Sequence, residues 1–515
     1  MDSTLTAILR RHTQEGAATR VPQVLGLVLL WSREEPQRVG EVALFAPSPD
    51  GRAHVLGRAG GRRDLVRAEW QRQRPDHSVP TGALSSPRIS RDQVLIQPLL
   101  DGRLALTNVG RLELRLRGEP IAAGVARTGD LVELADEALM LVVRRPLVMP
   151  IGELPADNFP GFGEPDSDGL VGESPRMWAL RDQLAFVGGR GAHVLIRGAS
   201  GTGKELAAQA IHRRSPRRAR PLVARNAATI PDSLLDAELF GTCKNFPQSG
   251  MPERPGLVGE ADGSTLFLDE FAEMPAAMQA HLLRLMDHGE YQRLGDPRSR
   301  RADLRLVAAT NRPESALKHD ILARMQIRVE LPGLDERRED IPLLARALLR
   351  RIAASDPAIA RRWFPGGDPR GLPAIGPRLI AALVTHPYTT HVRELEALLW
   401  QSMARSRGSI LDTWDGLPPR WQVAAPAPTP VPVPTATLTQ DLATAEPPAN
   451  TPHVAAPGVD PLSIPAAVVQ ACLDRHEGRQ EPVWRELGLA SRHVLTRLVR
   501  RYGLKVRGRT SRDDD

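Results

Sequence analysis

The stretch HVLIRGASGTGKELAAQAIH, residues 193–212, decides the fold of the central part of this chain. An apolar run typical of a buried strand leads into a glycine-rich turn, and a helical pattern follows. Glycines let backbone N–H groups turn inward around phosphates, and the N-terminus of the following helix adds a favourable dipole. The predicted phosphate-binding loop comprises Gly198, Ala199, Ser200, Gly201, Thr202, Gly203, Lys204 and Glu205, with Lys204 reaching the terminal phosphates. A glycine-rich turn without a ligand is the simpler alternative.

Two further apolar strands end in polar residues suited to the same chemistry. GSTLFLDE (263–270) ends in Asp269 and Glu270, and LRLVAATN (304–311) ends in Asn311. Because parallel strands end at the same edge of a sheet, these side chains are expected beside the phosphate-binding loop. Asp269 would hold Mg²⁺ through water, Glu270 would polarise the attacking water, and Asn311 would sense the γ-phosphate. Together the three strand ends predict an ATPase.

The 515 residues have a formal net charge of +7 and a pI of about 10.0, and 41% of them are hydrophobic. A chain of this length is expected to form several domains. Residues 461–512 contain eleven Lys and Arg against four Asp and Glu, a surplus of seven that equals the excess of the whole chain. This basic balance favours contact with nucleic acid or another anionic surface, although arginine-rich composition is also common in high-GC genomes.

Cysteine usage and hydropathy indicate the compartment. Cys243 and Cys472 match no metal-ligand spacing and fit a reducing environment. No apolar run approaches the roughly 20 residues that a membrane-spanning helix needs, and the N-terminus lacks the pattern of a signal peptide. We therefore expect a cytoplasmic protein with no membrane partner.

Composition divides the chain into domains of different classes. Short apolar alternations cut by Gly and Pro predict an N-terminal all-β sandwich. Strands that alternate with amphipathic helices predict a central parallel α/β sheet followed by a helical piece. The expected order is a sandwich (20–145), a Pro/Gly/acidic linker (146–169), an α/β ATPase domain (170–332), its helical lid (333–412), a Pro/Ala-rich disordered linker (423–461) and an all-α end (462–507).

Six motifs between residues 170 and 411 resemble the AAA+ domain of bacterial enhancer-binding proteins, the activators of sigma-54 RNA polymerase. They are GASGTGKE, ELFG, ADGSTLFLDE, LVAATN, LPGLDERREDIPLL and HVRELEALL. The resemblance implies a hexameric ring that hydrolyses ATP with Mg²⁺, and it accounts for Glu205, since that family ends its P-loop in Lys-Glu. It also implies that Asn226 restrains Glu270 until hydrolysis and that Arg393 in the lid senses the nucleotide.

The same resemblance implies cationic residues that act in trans. The family usually presents two arginines to the ATP of the neighbouring subunit. Arg324 fills the second position, but Lys318 fills the first, and a lysine lacks the planar fork that suits a phosphoryl transition state. We expect ATPase activity only in a ring, at a reduced level.

In the resembled family, the segment after ELFG holds a loop of consensus Gly-Ala-Phe-Thr-Gly-Ala that pushes on sigma-54. The corresponding residues here are Asn245, Phe246, Pro247, Gln248, Ser249 and Gly250. Phe246 is displaced by about one position, the Thr-Gly-Ala is absent, and Pro247 fixes the local backbone. Two interpretations stay open: Phe246 still pushes on sigma-54 in a variant loop, or the chain no longer engages sigma-54 and serves another client.

Residues 462–507 resemble the Fis-type helix-turn-helix that usually closes this family. The turn is predicted at LGLAS, with Ser491 capping the next helix. The residues left for the major groove of DNA and its phosphates are Ser491, Arg492, His493, Thr496, Arg497, Arg500 and Arg501. Pro482 and Trp484 depart from the usual pattern, and a plain basic helical cap is the alternative.

The N-terminal sandwich resembles a forkhead-associated (FHA) domain, a binder of phosphothreonine peptides. The resemblance rests on VLGRAGG, ISRDQVLI and LTNVGRLELRLRGEPI. It implies that Arg58, Ser90 and Arg91 grip the phosphate and peptide, for which charge-assisted hydrogen bonds are suited. Gln93 replaces the usual His, and the usual Asn-Gly clamp is missing near Leu112. A phosphothreonine protein made by a Ser/Thr kinase is the implied partner, and self-association through the sandwich is the alternative.

These parts together favour a bacterial transcriptional regulator of the sigma-54 activator type. A phosphoprotein sensor would lie in front, an ATP-driven ring in the middle, and a DNA-binding domain behind a flexible tether. The first alternative is a signalling or scaffold AAA+ protein that binds ATP and assembles but moves no sigma factor. The second alternative is a passive DNA-binding repressor.

Overall fold

The structure is a computed structural model, and it divides into two compact units, Met1–Ala425 and Pro426–Asp515. It describes residues 21–46, 52–62, 64–75, 78–150, 152, 161–414 and 466–476, and the single residues 483, 495, 499 and 502. In the second unit, helix α11 (Ala466–Arg475) buries Val469, Cys472 and Leu473. The predicted DNA-contacting residues 491–493, 496, 497, 500 and 501, and the proline-rich segment 423–461, lie outside the described residues.

Residues 23–146 form a sandwich of two mainly antiparallel sheets, in agreement with the all-β expectation. In spatial order, the larger sheet contains β10 (Glu119–Ile121), β9 (Leu114–Leu116), β12 (Leu131–Leu134), β13 (Ala138–Pro146), β1 (Gln23–Ser32), β2 (Val42–Phe45), β5 (Trp70–Gln73) and β6 (Ser78–Gly82). The smaller sheet contains β11 (Ala123–Ala126), β8 (Leu104–Asn108), β7 (Val94–Pro98), β3 (His54–Leu56) and β4 (Val66–Arg67).

The central domain is built on the expected parallel sheet. Its spatial order is β15 (Val223–Asn226), β16 (Thr265–Asp269), β19 (Arg305–Thr310), β14 (Val194–Arg197) and β20 (Ile327–Glu330), and every neighbouring pair is parallel. A separate hairpin joins β17 (Glu290–Gln292) to β18 (Ser299–Arg301). The helices of this domain are α1 (Pro175–Gly188), α2 (Lys204–Arg213), α3 (Asp232–Phe240), α4 (Gly256–Glu260), α5 (Ala276–His288) and α6 (His319–Arg324).

A helical lid follows the sheet. It consists of α7 (Ile341–Ser355), α8 (Pro357–Trp363), α9 (Pro377–Thr385) and α10 (His391–Arg405). Its apolar faces meet in a core that includes Leu349, Trp363, Leu383 and Leu399. Within the described residues, no helix has both the length and the hydropathy to cross a membrane.

The sandwich and the lid share one apolar core. Along β1, Leu27 and Leu29 point into the sandwich, whereas Val28 and Leu30 join the core of the lid. Leu141 and Val143 on β13 and several residues of α7 belong to the same core. A strand that is buried on both faces has a nearly continuous run of apolar residues. The sequence of β1, QVLGLVLLWS, has such a run.

Polar contacts tie the same two parts together. Arg145 on β13 forms an ion pair with Glu339 at 3.1 Å, and burial raises the pKa of that carboxyl group. The indole N–H of Trp31 donates to the carbonyl oxygen of Ile375 at 2.7 Å. Asp340, which immediately precedes α7, accepts hydrogen bonds from the backbone N–H groups of Glu173 and Ser174, just before α1. The sandwich, the lid and the start of the central domain are thus directly bonded to one another.

The range 146–169 was expected to be a linker, and several residues in its last part contact neighbouring elements. The ring of Phe162 lies under the guanidinium groups of Arg72 and Arg74 in the sandwich. Asp166 and Asp168 accept hydrogen bonds from arginines of α1 and of the α2 C-terminus, respectively. This segment, whose composition is typical of a linker, thus contacts the sandwich and the helices α1 and α2.

Candidate functional site

The predicted phosphate-binding loop runs from the end of β14 to the start of α2. Gly201 and Gly203 adopt φ angles of +76° and +101°, which favour glycine. No side chain caps the N-terminus of α2, so its first N–H groups face the loop without a side-chain partner. The Lys204 ammonium is buried and donates to the carbonyl oxygens of Gly198 at 3.2 Å and Ala199 at 3.5 Å. Glu205 is exposed and accepts from Gln209 on the next turn.

The two predicted carboxylates lie beside this loop. Asp269 is the last residue of β16, and its Oδ1 accepts the backbone N–H of Glu270 at 2.9 Å. Glu270 has φ +49° and ψ +41°, a left-handed conformation that is strained for a side chain of this size. Its Oε1 lies 4.0 Å from the Nζ of Lys204, and its Oε2 is buried without a hydrogen-bond partner among the described residues. Backbone strain and an unpaired buried oxygen together indicate a site built to meet a ligand or water.

The two predicted asparagines lie at neighbouring strand ends. Asn226 pairs with Asp269 in the register of β15 and β16, and its side-chain oxygen accepts the backbone N–H of Ala228 at 2.9 Å. In the described part of the chain, Asn226 forms no hydrogen bond with Glu270. Asn311 follows β19 and lines a cavity of about 920 Å³ that also borders Gly198.

The lid closes onto the loop through α10. Arg393 Nη1 donates to the hydroxyl of Ser200 at 3.3 Å, and the N–H of Val392 donates to the carbonyl oxygen of Gly201 at 3.1 Å. Burial alone would raise the pKa of Glu394, but N–H groups of residues 389 and 390 and the imidazole of His386 donate to its carboxylate. These hydrogen bonds lower its pKa to about 2. An ionised Glu394 therefore fixes the turn that presents Arg393.

The two predicted trans-acting cations lie at the two ends of α6. Lys318 precedes the helix, and its backbone N–H donates to the side-chain oxygen of Gln279 at 3.2 Å. Arg324 ends the helix and forms an ion pair with Asp287 at 2.9 Å. Within the described ranges, neither side chain is hydrogen bonded to the phosphate-binding loop of its own chain.

The altered loop 245–250 is folded against the β17–β18 hairpin. The N–H of Cys243 donates to the carbonyl oxygen of Leu294 at 3.0 Å, and Asn245, at φ +66°, accepts the N–H of Gly250 at 2.9 Å. Phe246 is half-buried, and its ring lies so close to Gly295 that a Cβ there would overlap it. Residues 247–250 are exposed. The aromatic ring that the sequence singled out therefore packs against its own domain in this conformation.

The three predicted phosphopeptide residues come together at one end of the sandwich. The N–H of Arg58 donates to the carbonyl oxygen of Ser90 at 3.1 Å, and the Ser90 hydroxyl accepts the N–H of Arg111 at 3.0 Å. Arg91 is exposed, and Arg67 donates to the backbone oxygens of both Arg58 and Arg91. The Nε of Arg58 is buried without a hydrogen-bond partner among the described residues. The oxygens of Ser90 thus hold the backbones of Arg58 and Arg111, and Arg67 bridges the backbones of Arg58 and Arg91.

Gln93, which stands in place of an expected His, organises this end. Its side-chain oxygen accepts N–H groups of Ser90 and Leu112, at 3.1 and 3.4 Å. Its side-chain nitrogen donates to Asn108 Oδ1 and to the Leu112 carbonyl oxygen, both at 2.9 Å. Gln93 is fully buried, so each of its polar atoms is paired inside the protein. The sequence singled out Gln93 only as a departure from the expected His, and no local pattern indicated its hydrogen bonds with Asn108 and Leu112.

Among the described residues, no three or more His, Cys, Asp or Glu side chains are arranged to hold a metal ion. This arrangement still fits Mg²⁺, which typically uses one or two carboxylates together with substrate phosphates and waters. Asp269, beside the phosphate-binding loop, is the residue suited to that contact.

Residues 170–331 match the sigma-54 interaction domain family. The Nif-specific regulatory protein of Klebsiella pneumoniae is 37% identical over 325 residues, which cover 60% of this chain and 58% of that protein. The transcriptional regulatory protein ZraR of Salmonella typhimurium is 33% identical over 356 residues, which cover 68% of this chain and 71% of that protein. The crystal structure of NtrX from Brucella abortus in complex with ATP is 27% identical, with a TM-score of 0.42, and covers 65% of this chain and 69% of that one.

Gly201→Ala should loosen the contact between the lid and the phosphate-binding loop. A Cβ on Gly201 would overlap the backbone oxygen of Thr390 and come within 3.3 Å of the Arg393 Cβ. Gly203→Ala is the matched control, because Gly203 also has a positive φ but its added Cβ would meet only Leu206, at 4.0 Å. Both variants introduce backbone strain, and the overlap should cost Gly201→Ala about 1–3 kcal/mol more. Urea unfolding of both variants without nucleotide measures this difference, and equal destabilisation would contradict the contact.

Proposed function

Since the chain belongs to the family of sigma-54-dependent transcriptional regulators and contains their AAA+ domain, we propose that it hydrolyses ATP in a homo-oligomeric ring and thereby remodels a client protein. The geometry of Glu270 supports this proposal most directly. A strained carboxylate with a buried, unpaired oxygen lies 4.0 Å from the buried lysine of a phosphate-binding loop. A purely structural carboxylate in that position would be expected to find a partner for both oxygens.

Within the proposed site, each residue has a distinct task. The N–H groups of residues 198–204 surround the phosphates, and Lys204 exchanges its carbonyl partners for the terminal phosphates. Asp269 would hold Mg²⁺ through water, and the ion would supply positive charge at the phosphates. Glu270 accepts a hydrogen bond from the attacking water and so increases its nucleophilicity.

The remaining predicted residues act around this centre. Asn226 restrains Glu270 once the Asn226 side chain gives up its hydrogen bond with the backbone N–H of Ala228. Asn311, which follows β19, contacts the γ-phosphate. Arg393 contacts the nucleotide and so couples nucleotide binding to the position of the lid. Arg324 and Lys318 act on the ATP of the neighbouring subunit, where their charges stabilise the transition state.

The N-terminal sandwich is proposed to receive the signal by binding a phosphothreonine protein through Arg58, Ser90 and Arg91. The unpaired Nε of Arg58 and the exposed Arg91 support an anion at this end of the sandwich. Because the sandwich and the lid share a core, a change at the sandwich acts on the same element that presents Arg393. Signal input therefore reaches the nucleotide through the lid.

Sigma-54 RNA polymerase is the proposed client, and Phe246 is the residue proposed to push on it. A second candidate function follows from the packing of Phe246 against Gly295 and from the missing Thr-Gly-Ala. In that case the chain is an AAA+ signalling or scaffold ATPase, or a DNA-binding repressor, that no longer engages sigma-54. The two candidates differ in whether the chain engages sigma-54.

The central test combines ATP turnover with client binding. Glu270→Gln should lower kcat about 100-fold or more by removing the base for the attacking water, whereas Glu260→Gln, an exposed carboxylate of the same domain, should not. With ADP and aluminium fluoride, the wild-type chain should form a complex with sigma-54 that Phe246→Ala fails to form. Gel filtration of each mixture measures whether the complex with sigma-54 forms. Absence of ATP turnover in the wild-type chain would overturn the ATPase proposal, and turnover that survives Glu270→Gln would remove Glu270 from the role of base. Turnover without any sigma-54 complex would favour the second candidate.

Arg58→Ala should abolish the proposed phosphopeptide contact. Removal of a charge-assisted hydrogen bond should weaken binding of phosphothreonine peptides about 10- to 100-fold. Fluorescence polarisation with a phosphothreonine peptide library, and with the unphosphorylated library beside it, gives the measurement. Arg103→Ala, at a loop arginine whose guanidinium group pairs with Asp101, is the matched control. Equal binding of phosphorylated and unphosphorylated peptides would instead favour self-association as the role of the sandwich.

The C-terminal residues 462–507 are proposed to bind DNA. The basic surplus of residues 461–512 supports this role. Replacing Arg500 and Arg501 by Ala should reduce the steepness of log K against log salt concentration by about 1 for each phosphate that is no longer neutralised. Arg218→Ala, an exposed arginine of the ATPase domain, is the control. An unchanged salt slope in the double variant would remove these arginines from the DNA interface.

A further inference from the structure

The guanidinium group of Arg324 is held from one side by Asp287. Its Nε lies 2.9 Å from Oδ1 and 3.2 Å from Oδ2 of Asp287, and its Nη2 lies 3.1 Å from Oδ2. Its Nη1 donates to the backbone oxygen of Asp320 at 3.1 Å. All three nitrogen atoms are thus fixed by residues of the same chain. The hydrogen bonds from Arg324 also lower the pKa of Asp287, so the partner is ionised at neutral pH.

This arrangement leaves part of the guanidinium group available. Arginine has five N–H donors in a rigid plane, and the contacts with Asp287 and Asp320 use one on Nε, one on Nη2 and one on Nη1. One N–H on each Nη remains. Two such donors in one plane match two oxygens of a phosphoryl group. The ion pair therefore fixes the plane of the group without consuming all of its donors.

The position of the pair argues against a purely structural role. The side chains of Arg324 and Asp287 are 36% and 32% exposed, and ion pairs at such sites contribute little to stability. Asp287 lies near the end of α5, a helix anchored by the buried Leu282 and Leu285. Arg324 ends α6, a helix of only six residues. The well-anchored helix α5 thus restrains the side chain of Arg324, which belongs to the short helix α6.

The identity of residue 318 makes this restraint more important. The first of the two expected trans-acting positions holds Lys318, whose ammonium group is a point charge without a planar fork. Recognition of a planar phosphoryl group then depends on the orientation of Arg324 alone. A misoriented Arg324 would reduce turnover even though its charge remained.

We propose that Asp287 is a positioning residue, which orients Arg324 so that its two remaining N–H groups meet the terminal phosphate of ATP in the neighbouring subunit. The inference rests on the proposed function, a ring ATPase with Arg324 acting in trans. Asp287 itself touches no nucleotide. It acts on the reaction only through the plane of the Arg324 guanidinium group.

The test uses steady-state ATP hydrolysis by the full chain. Asp287→Asn keeps the shape but removes the charge, and kcat should fall about fivefold, the factor that corresponds to an exposed ion pair worth about 1 kcal/mol. The KM for ATP should stay unchanged, since the subunit's own nucleotide contacts are intact. Asp287→Glu, which keeps the carboxylate, should recover part of the activity. Asp101→Asn, which breaks an exposed aspartate–arginine pair in the sandwich, is the matched control and should leave kcat unchanged.

Mixing subunits tests whether the effect acts in trans. Glu270→Gln subunits cannot hydrolyse ATP but retain an oriented Arg324. Adding them to Asp287→Asn subunits should raise turnover per competent site, because they supply the missing orientation to their neighbours. An Asp287→Asn variant with unchanged or higher kcat would overturn the inference, and so would a decrease that mixing does not relieve. If Arg324→Ala hydrolyses ATP as fast as the wild type, the trans role in the proposed function fails instead.

Discussion

The burial of both faces of β1 and β13 is the constraint on which the rest of the first unit depends. One face of these strands closes the sandwich, and the other closes the core of the lid. Burying a single large aliphatic side chain contributes about 1.5–3 kcal/mol, so the shared core involves a large part of the stability of both domains. The Arg145–Glu339 ion pair lies in the same interface, and its charges require each other because a lone buried charge is costly.

The geometry of the nucleotide site depends on contacts that start from this core. Helix α7 leads from the shared core to Asp340, which holds the backbone that precedes α1, and α10 presents Arg393 to the phosphate-binding loop. The loop in turn contacts the lid through Gly201, at a distance that admits no side chain. The sandwich, the lid and the phosphate-binding loop thus form one chain of direct contacts.

The α/β fold, with the strands, loop and helix of the proposed ATP site, could be predicted from the sequence because these elements depend on local patterns. A strand, a glycine-rich turn and a helix in direct succession predict the loop at 198–204, and apolar strands with polar ends predict Asp269, Glu270 and Asn311. The sigma-54 interaction domain match agrees with that fold. The strain at Glu270 could not be predicted, since no neighbouring residue reveals a positive φ. Contacts between distant segments were also missed. Phe162 and Asp168 lie in a stretch whose composition is typical of a linker, yet they contact Arg72 of the sandwich and Arg213 of α2.

The shared core also bears on how this chain could evolve. Regulators built from independent modules exchange their input domains by recombination at the linker, because each module keeps its own closed core. A cut near residue 150 in this chain would expose Val28, Leu30 and Leu141 on one side and the apolar face of α7 on the other. A replacement N-terminal domain would have to bring an apolar sheet that fits this lid. The sandwich and the lid are therefore expected to change together over evolutionary time, as halves of one folding unit.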